Sequence, residues 1–84
     1  MTFEYVVRDE LGIHARPAGL LVAEAKKYGC TVTIGAKGKT ADAKRIFAVM
    51  SLGVKCGDKI SVSCEGEDEA AAAAGIKAVL ENNL

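Results

Sequence analysis

The apolar residues of this chain change their period between Arg8 and Ala15, and that change decides what the first third can fold into. Thr2–Arg8 alternates, with Phe3, Tyr5 and Val7 on one side and Glu4 and Arg8 on the other. Period two with a single apolar side describes a half-buried strand. From Ala15 the apolar positions Ala18, Leu21, Val22, Ala25 and Tyr28 recur at three- and four-residue intervals. That is the buried stripe of a helix, and Gly29 supplies its stop.

The same test carried onward predicts strands at Thr31–Ile34 and Lys39–Asp42, joined by a hairpin through residues 35–38. A short helix is predicted over Lys44–Leu52, apolar on nearly all sides and ended by Gly53. Ile60, Val62 and Cys64 alternate with Ser61 and Ser63 as a fourth strand. The last element is a helix over Glu69–Asn82 with Ile76, Val79 and Leu80 inward. Its acidic approach, Glu67-Asp68-Glu69, complements the positive end of a helix dipole. The order β-α-β-β-α-β-α, with each helix amphipathic on one side, implies an α+β fold. Four antiparallel strands form its sheet, and three helices cover one face. Glu4, Arg8, Thr31, Thr33, Ser61 and Ser63 suit a face left open to water. Strand order is not readable from this pattern.

With 84 residues, 50% of them hydrophobic, residues 1–84 are expected to form a single domain that stabilises itself by burial alone. No run reaches the roughly 18 apolar residues of a membrane span, and no charged-then-apolar leader opens the chain. No membrane insertion and a cytoplasmic location are therefore expected. The formal charge is zero, from 11 basic and 11 acidic side chains, which argues against a general nucleic-acid binder. The charges are unevenly placed: residues 26–59 carry eight basic against two acidic side chains, a patch suited to an acidic partner. Cys30, Cys56 and Cys64 form no CxxC, and a zinc site would have to recruit the single histidine, so no metal is expected. Small buried hydrophobes are the expected fate of these cysteines.

One segment carries chemistry. Leu11-Gly12-Ile13-His14-Ala15-Arg16-Pro17-Ala18 lies where the first strand hands over to the first helix. Pro17 suits a first helical turn, where a missing N–H costs nothing. His14 then falls at the cap, beside backbone N–H groups of Ala15 and Arg16 that form a ready anion site. Arg16 adds a permanent charge and a planar fork of donors matched to phosphate. A neutral imidazole nitrogen can attack phosphorus, and the group it gains would meet the helix dipole at ~0.3–1 kcal/mol. The alternative is a histidine that merely caps a helix, and these residues alone leave the two readings near even.

Gly12-Ile13-His14-Ala15-Arg16-Pro17-Ala18 resembles the active-site signature of the phosphocarrier protein HPr family, from the bacterial phosphoenolpyruvate-dependent sugar phosphotransferase system. Arg45-Ile46-Phe47-Ala48-Val49-Met50-Ser51-Leu52-Gly53 resembles that family's second-helix segment, and Gly38-Lys39 and Glu65-Gly66-Glu67-Asp68-Glu69 continue the likeness. The resemblance implies an open-faced sandwich and a carrier rather than an enzyme in its own right, with no cofactor. It would take a phosphoryl group from enzyme I and pass it to IIA domains of sugar permeases; a monomer is expected, although the residues do not record oligomeric state. By the same resemblance His14 is phosphorylated on Nδ1, Arg16 steadies the phosphate, and partners dock on Arg16, Leu20, Ile46, Phe47, Met50 and Val54. Leu20 lies off the buried stripe of its helix, and the second helix has more apolar faces than it can bury, with Lys26, Lys44 and Arg45 as a basic rim. Ile46 and Met50 completing the core is the competing assignment.

Two positions depart from the family pattern. Leu11 stands where many members carry a small polar residue, which removes a potential hydrogen bond near the histidine. Arg45 stands where many carry a regulatory serine, so no regulatory serine is expected there. A regulatory paralogue serving a nitrogen-related or other non-sugar relay would share the same His14 chemistry. A metal chaperone or nucleic-acid module would not: it would need a CxxC, or paired aromatics on central strands.

Overall fold

Alternation gives each strand one side to bury, and the four strands solve this together. The computed structural model describes residues 1–84. In chain order the elements are β1 (Thr2–Val6), α1 (Ala15–Ala25), β2 (Thr31–Ala36), β3 (Lys39–Asp42), α2 (Ile46–Ser51), β4 (Lys59–Glu65) and α3 (Glu69–Asn83). The sheet is antiparallel throughout in the order β1-β4-β2-β3. The last strand in sequence is thus central, pairing with both the first and the second.

Register sorts the side chains into two faces. Phe3, Val62, Ile34 and Ala41 form one cross-strand row, while Glu4, Ser61, Gly35 and Thr40 form the next. The first row joins a core of 23 buried apolar residues, including Leu21, Val32, Ile60, Ile76 and Leu80, with no buried polar residue. The second row faces away from the helices and carries the polar positions. Helix α3 lies over β4 and β1 and packs on α1, while α2 bridges α1 and β3.

Local hydrogen bonding explains where elements differ from their predicted bounds. Helix α2 begins at Ile46 rather than Lys44, because the Asp42 carboxylate accepts the Lys44 N–H at 2.9 Å and the Asp42 carbonyl accepts that of Arg45 at 3.0 Å. Those two residues belong to a side-chain-stabilised turn. Strand β2 runs on to Ala36, leaving a two-residue hairpin. Lys37 and Gly38 sit there at φ 54° and 77°, the left-handed pair a tight hairpin needs. The Lys37 ammonium holds the Gly53 carbonyl at 2.8 Å and pairs with Asp58 at 3.1 Å. Helix α1 stops at Ala25, and Tyr28 lies beyond it with its hydroxyl donating to Glu24 at 2.8 Å. Cys30 and Cys64 are buried as expected, but Cys56 is exposed in the α2–β4 connection, its Sγ 3.5 Å from the Arg8 carbonyl.

Asp68, before α3, fastens that helix to the start of β2: its two carboxylate oxygens accept the N–H groups of Gly29 and Cys30 at 2.9 and 3.0 Å. The Gly29 N–H, first among the causes, holds the Asp68 carboxyl below its ordinary 3.8. A carboxyl held low contributes stability that is complete above its unfolded value and is lost as acid protonates it. The melting temperature should therefore fall as pH drops below 3.8. Asp68→Asn should lower the melting temperature at neutral pH and make that acid decline shallower. Thermal melts of both proteins across the acid range check this, with Glu24, Asp58 and Glu69, also held low, supplying the remaining slope.

Candidate functional site

The connection from β1 to α1 is built before any of its side chains act. Val7 exchanges backbone hydrogen bonds with the loop ahead of β4, donating to Asp58 at 2.9 Å and accepting from Gly57 at 2.7 Å. The Asp9 N–H donates to the Leu84 carbonyl at 2.9 Å, its carbonyl accepts the Gly12 N–H at 2.9 Å, and its carboxylate accepts the Leu11 N–H at 2.8 Å. This is an Asx turn reinforced by a backbone turn. Gly12 follows at φ +67°, where a Cβ would sit 2.2 Å from the Val54 carbonyl oxygen. Only glycine passes that point, and the next residue, Ile13, donates its N–H to the same oxygen at 3.1 Å.

His14 thereby arrives at the N-cap of α1 with extended backbone angles, φ −104° and ψ −178°. Its carbonyl accepts the first helical hydrogen bond, from Ala18 at 3.0 Å, yet its ring makes no capping bond. The N–H groups of Ala15 and Arg16 lie in the first turn, where a helix offers them no partner of its own, and Pro17 contributes none. The imidazole is 38% exposed, and its Nε2 lies 3.8 Å from Asp9 Oδ1. A cleft of about 150 Å³ opens here, lined by Asp9, His14, Arg16, Pro17, Leu20 and Asn83. A bare helix start, an arginine and an imidazole around one small cleft suit a phosphate-sized anion. Two larger hollows lie elsewhere on the surface and contain no histidine.

Leu20, at the cleft, and Phe47 and Met50 on α2 are exposed, Phe47 by 85%. Ile46 is half-buried against the core, with its Cδ1 facing Gly19 of α1, so part of its side chain completes the core and part stays exposed. Val54 needs correction. Its side chain is buried at 4% exposure and cannot offer a surface to a partner, although its carbonyl anchors the histidine loop. Arg45 is the exposed N-cap residue of α2. Asp9 and Asn83 were not singled out from sequence. The Asx-turn spacing of Asp9 to Leu11 was a usable signal for the first, whereas nothing local marks the second.

The architecture and site define a class: a small open-faced α+β sandwich that presents a histidine at the start of its first helix. The family model described as "PTS HPr component phosphorylation site" matches residues 1–82. The phosphocarrier protein HPr of Mycoplasma genitalium is 43% identical over 82 residues, 96% of this chain and 93% of that protein. A mycoplasma histidine-containing phosphocarrier protein of known structure superposes with a TM-score of 0.96 at 34% identity, covering 98% of this chain and 93% of that one. An HPr dimer from Thermoanaerobacter tengcongensis superposes at 0.79 with 35% identity, over 93% of this chain and 90% of that one. The chain belongs to the HPr family of phosphotransferase-system phosphocarriers.

Gly12→Ala tests the anchoring of the loop. Left-handed backbone and a collision with a carbonyl act together, so the substitution should destabilise the protein by more than ~1 kcal/mol. Denaturant unfolding measures that loss, and faster hydrogen exchange at the Ile13 amide should accompany it.

Proposed function

We propose that residues 1–84 act as a single phosphocarrier domain that accepts a phosphoryl group on His14 from enzyme I and passes it to IIA domains of sugar permeases. The observation that carries this reading is the uncapped imidazole of His14 beside Arg16 at the mouth of the cleft. In the forward step the Nδ1 lone pair attacks phosphorus. The new N–P bond forms as the bond to the donor nitrogen breaks, and that electron pair returns to the donor. The Ala15 and Arg16 N–H groups and the Arg16 guanidinium receive the phosphoryl oxygens. The imidazole itself is the acceptor, so the transfer needs no cofactor, and the protein carries the group without turning over a substrate of its own.

Leu20, Phe47 and Met50, with the exposed part of Ile46, form the docking patch in this reading, and Arg16 and Arg45 favour an acidic partner surface. Arg45 has no hydroxyl, so a serine kinase finds no acceptor there. The working unit is the monomer, because His14 and the patch lie on one chain. The cytoplasm, where phosphoenolpyruvate is available, is its place of action. No helix is long and apolar enough to cross a membrane.

Incubation with enzyme I and phosphoenolpyruvate, followed by intact mass measurement, should show one acid-labile phosphoryl group. His14→Ala should abolish the gain while melting like the parent, since the ring is partly exposed and caps nothing. Absence of phosphate on the parent chain overturns the proposal. Phe47→Asp should raise KM for enzyme I about tenfold or more, the usual loss for an aromatic anchor, and leave the melting temperature unchanged.

A further inference from the structure

We propose that Asp9 is a positioning residue for His14: its carboxylate holds the Nε2 side of the imidazole and leaves Nδ1 as the nitrogen that accepts phosphorus. The inference rests on the relay reading above and adds a residue to it. Asp9 is fixed by its own main chain, whose N–H donates to Leu84 and whose carbonyl accepts from Gly12, both at 2.9 Å. Its Oδ1 is fixed again by the Leu11 N–H at 2.8 Å, and this same oxygen faces His14 Nε2 at 3.8 Å. A separation of that size exceeds a direct hydrogen bond. Contacts of this kind are commonly loose before a partner binds and tighten in the reacting complex.

The pair is ordered on one side and free on the other. The carboxylate cannot swing away without breaking the turn that shapes the loop, whereas the His14 ring makes no capping bond that would tie down Nδ1. Arg16 is the other charged residue lining the cleft, and Asn83 of α3 is its neutral polar one. A carboxylate facing Nε2 favours the tautomer with hydrogen on that nitrogen, which leaves the lone pair on Nδ1.

The chemistry gives the charge a second use. When Nδ1 donates its lone pair to phosphorus and Nε2 keeps its hydrogen, the ring takes on positive charge. No proton has to leave during the step. A carboxylate already facing the ring interacts more strongly with that state than with the neutral ring, so it lowers the barrier rather than simply tightening the ground state. The same division of labour operates in acyl-transfer triads, where a buried aspartate orients a histidine and stabilises its cation.

Two variants separate this role from loop folding. Asp9→Ser keeps a short oxygen for the Leu11 N–H and does not reach the ring, while Asp9→Asn keeps the reach and removes the charge. Nitrogen-15 spectra of the unphosphorylated protein, recorded where the imidazole is neutral, should show His14 with hydrogen on Nε2. In Asp9→Ser the two ring nitrogen shifts should move toward each other. Phosphoryl transfer from enzyme I should slow about tenfold in both variants, the lower end of the loss when the hydrogen-bonded partner of a metal-bound histidine is removed. That loss should fall on kcat, with KM unchanged. Wild-type ring shifts in Asp9→Ser, or wild-type kcat in Asp9→Asn with its loop amide shifts preserved, would overturn the proposal. The ring measurement uses no phosphoryl donor, so it judges Asp9 independently. Failure of the parent chain to take up phosphate would instead sink the relay reading.

Discussion

A sheet with one apolar face has one place to put its helices, and everything else in this protein follows from that restriction. The inward row through Phe3, Val62, Ile34 and Ala41 can be dried only if α1, α2 and α3 lie on the same side. Sequential elements on one side must then be joined across the end of the sheet. The β1–α1 connection is such a crossing, and it brings His14 beside the loop that follows α2. The Val54 carbonyl meets it there, accepting from Ile13 and passing close to Gly12. A packing demand in the core thus fixes the backbone on which the candidate chemistry stands.

At that point the backbone does more than carry a side chain. His14 occupies a position normally filled by a capping residue, but its ring leaves the helix start bare. The first-turn N–H groups are therefore available to an external anion. Arg16 adds a charge that does not titrate, and Pro17, buried in the first turn, sets the direction of entry without adding a competing donor. Leu20 of α1 and Phe47 and Met50 of α2 stay exposed, outside the core that the helices share with the sheet.

Much of this was legible in the residues, and the exceptions have identifiable causes. Periodicity is a property of single segments, so the strands and α3 could be read within a residue or two of their bounds. Strand order depends on which edges meet, and no single segment records that β4 would insert between β1 and β2. Helix α2 starts two residues later than its apolar pattern predicts because Asp42 captures the N–H groups of Lys44 and Arg45, a competition that hydrophobic pattern does not register. The family resemblance puts Val54 on the docking surface, whereas the fold turns its side chain into the core, a direction that a matched motif does not carry. His14 and Arg16 stood out through their spacing to Pro17, whereas the bearing of Asp9 on the ring depends on how the turn folds back.

The pairing of β1 with β4 also sets an order in time. Thr2–Val6 pairs only with Lys59–Ser63, so β1 has no partner until β4 has been made. At about 5–20 residues per second, synthesis leaves that strand waiting for roughly 3–12 s. The loop bearing His14 waits as well, since it is pinned by Val54 and by the loop ahead of β4. A ribosome that stalls before β4 has emerged would therefore hold an unfinished chain with His14 already translated but not yet seated. The geometry around His14 is among the last features to be assembled.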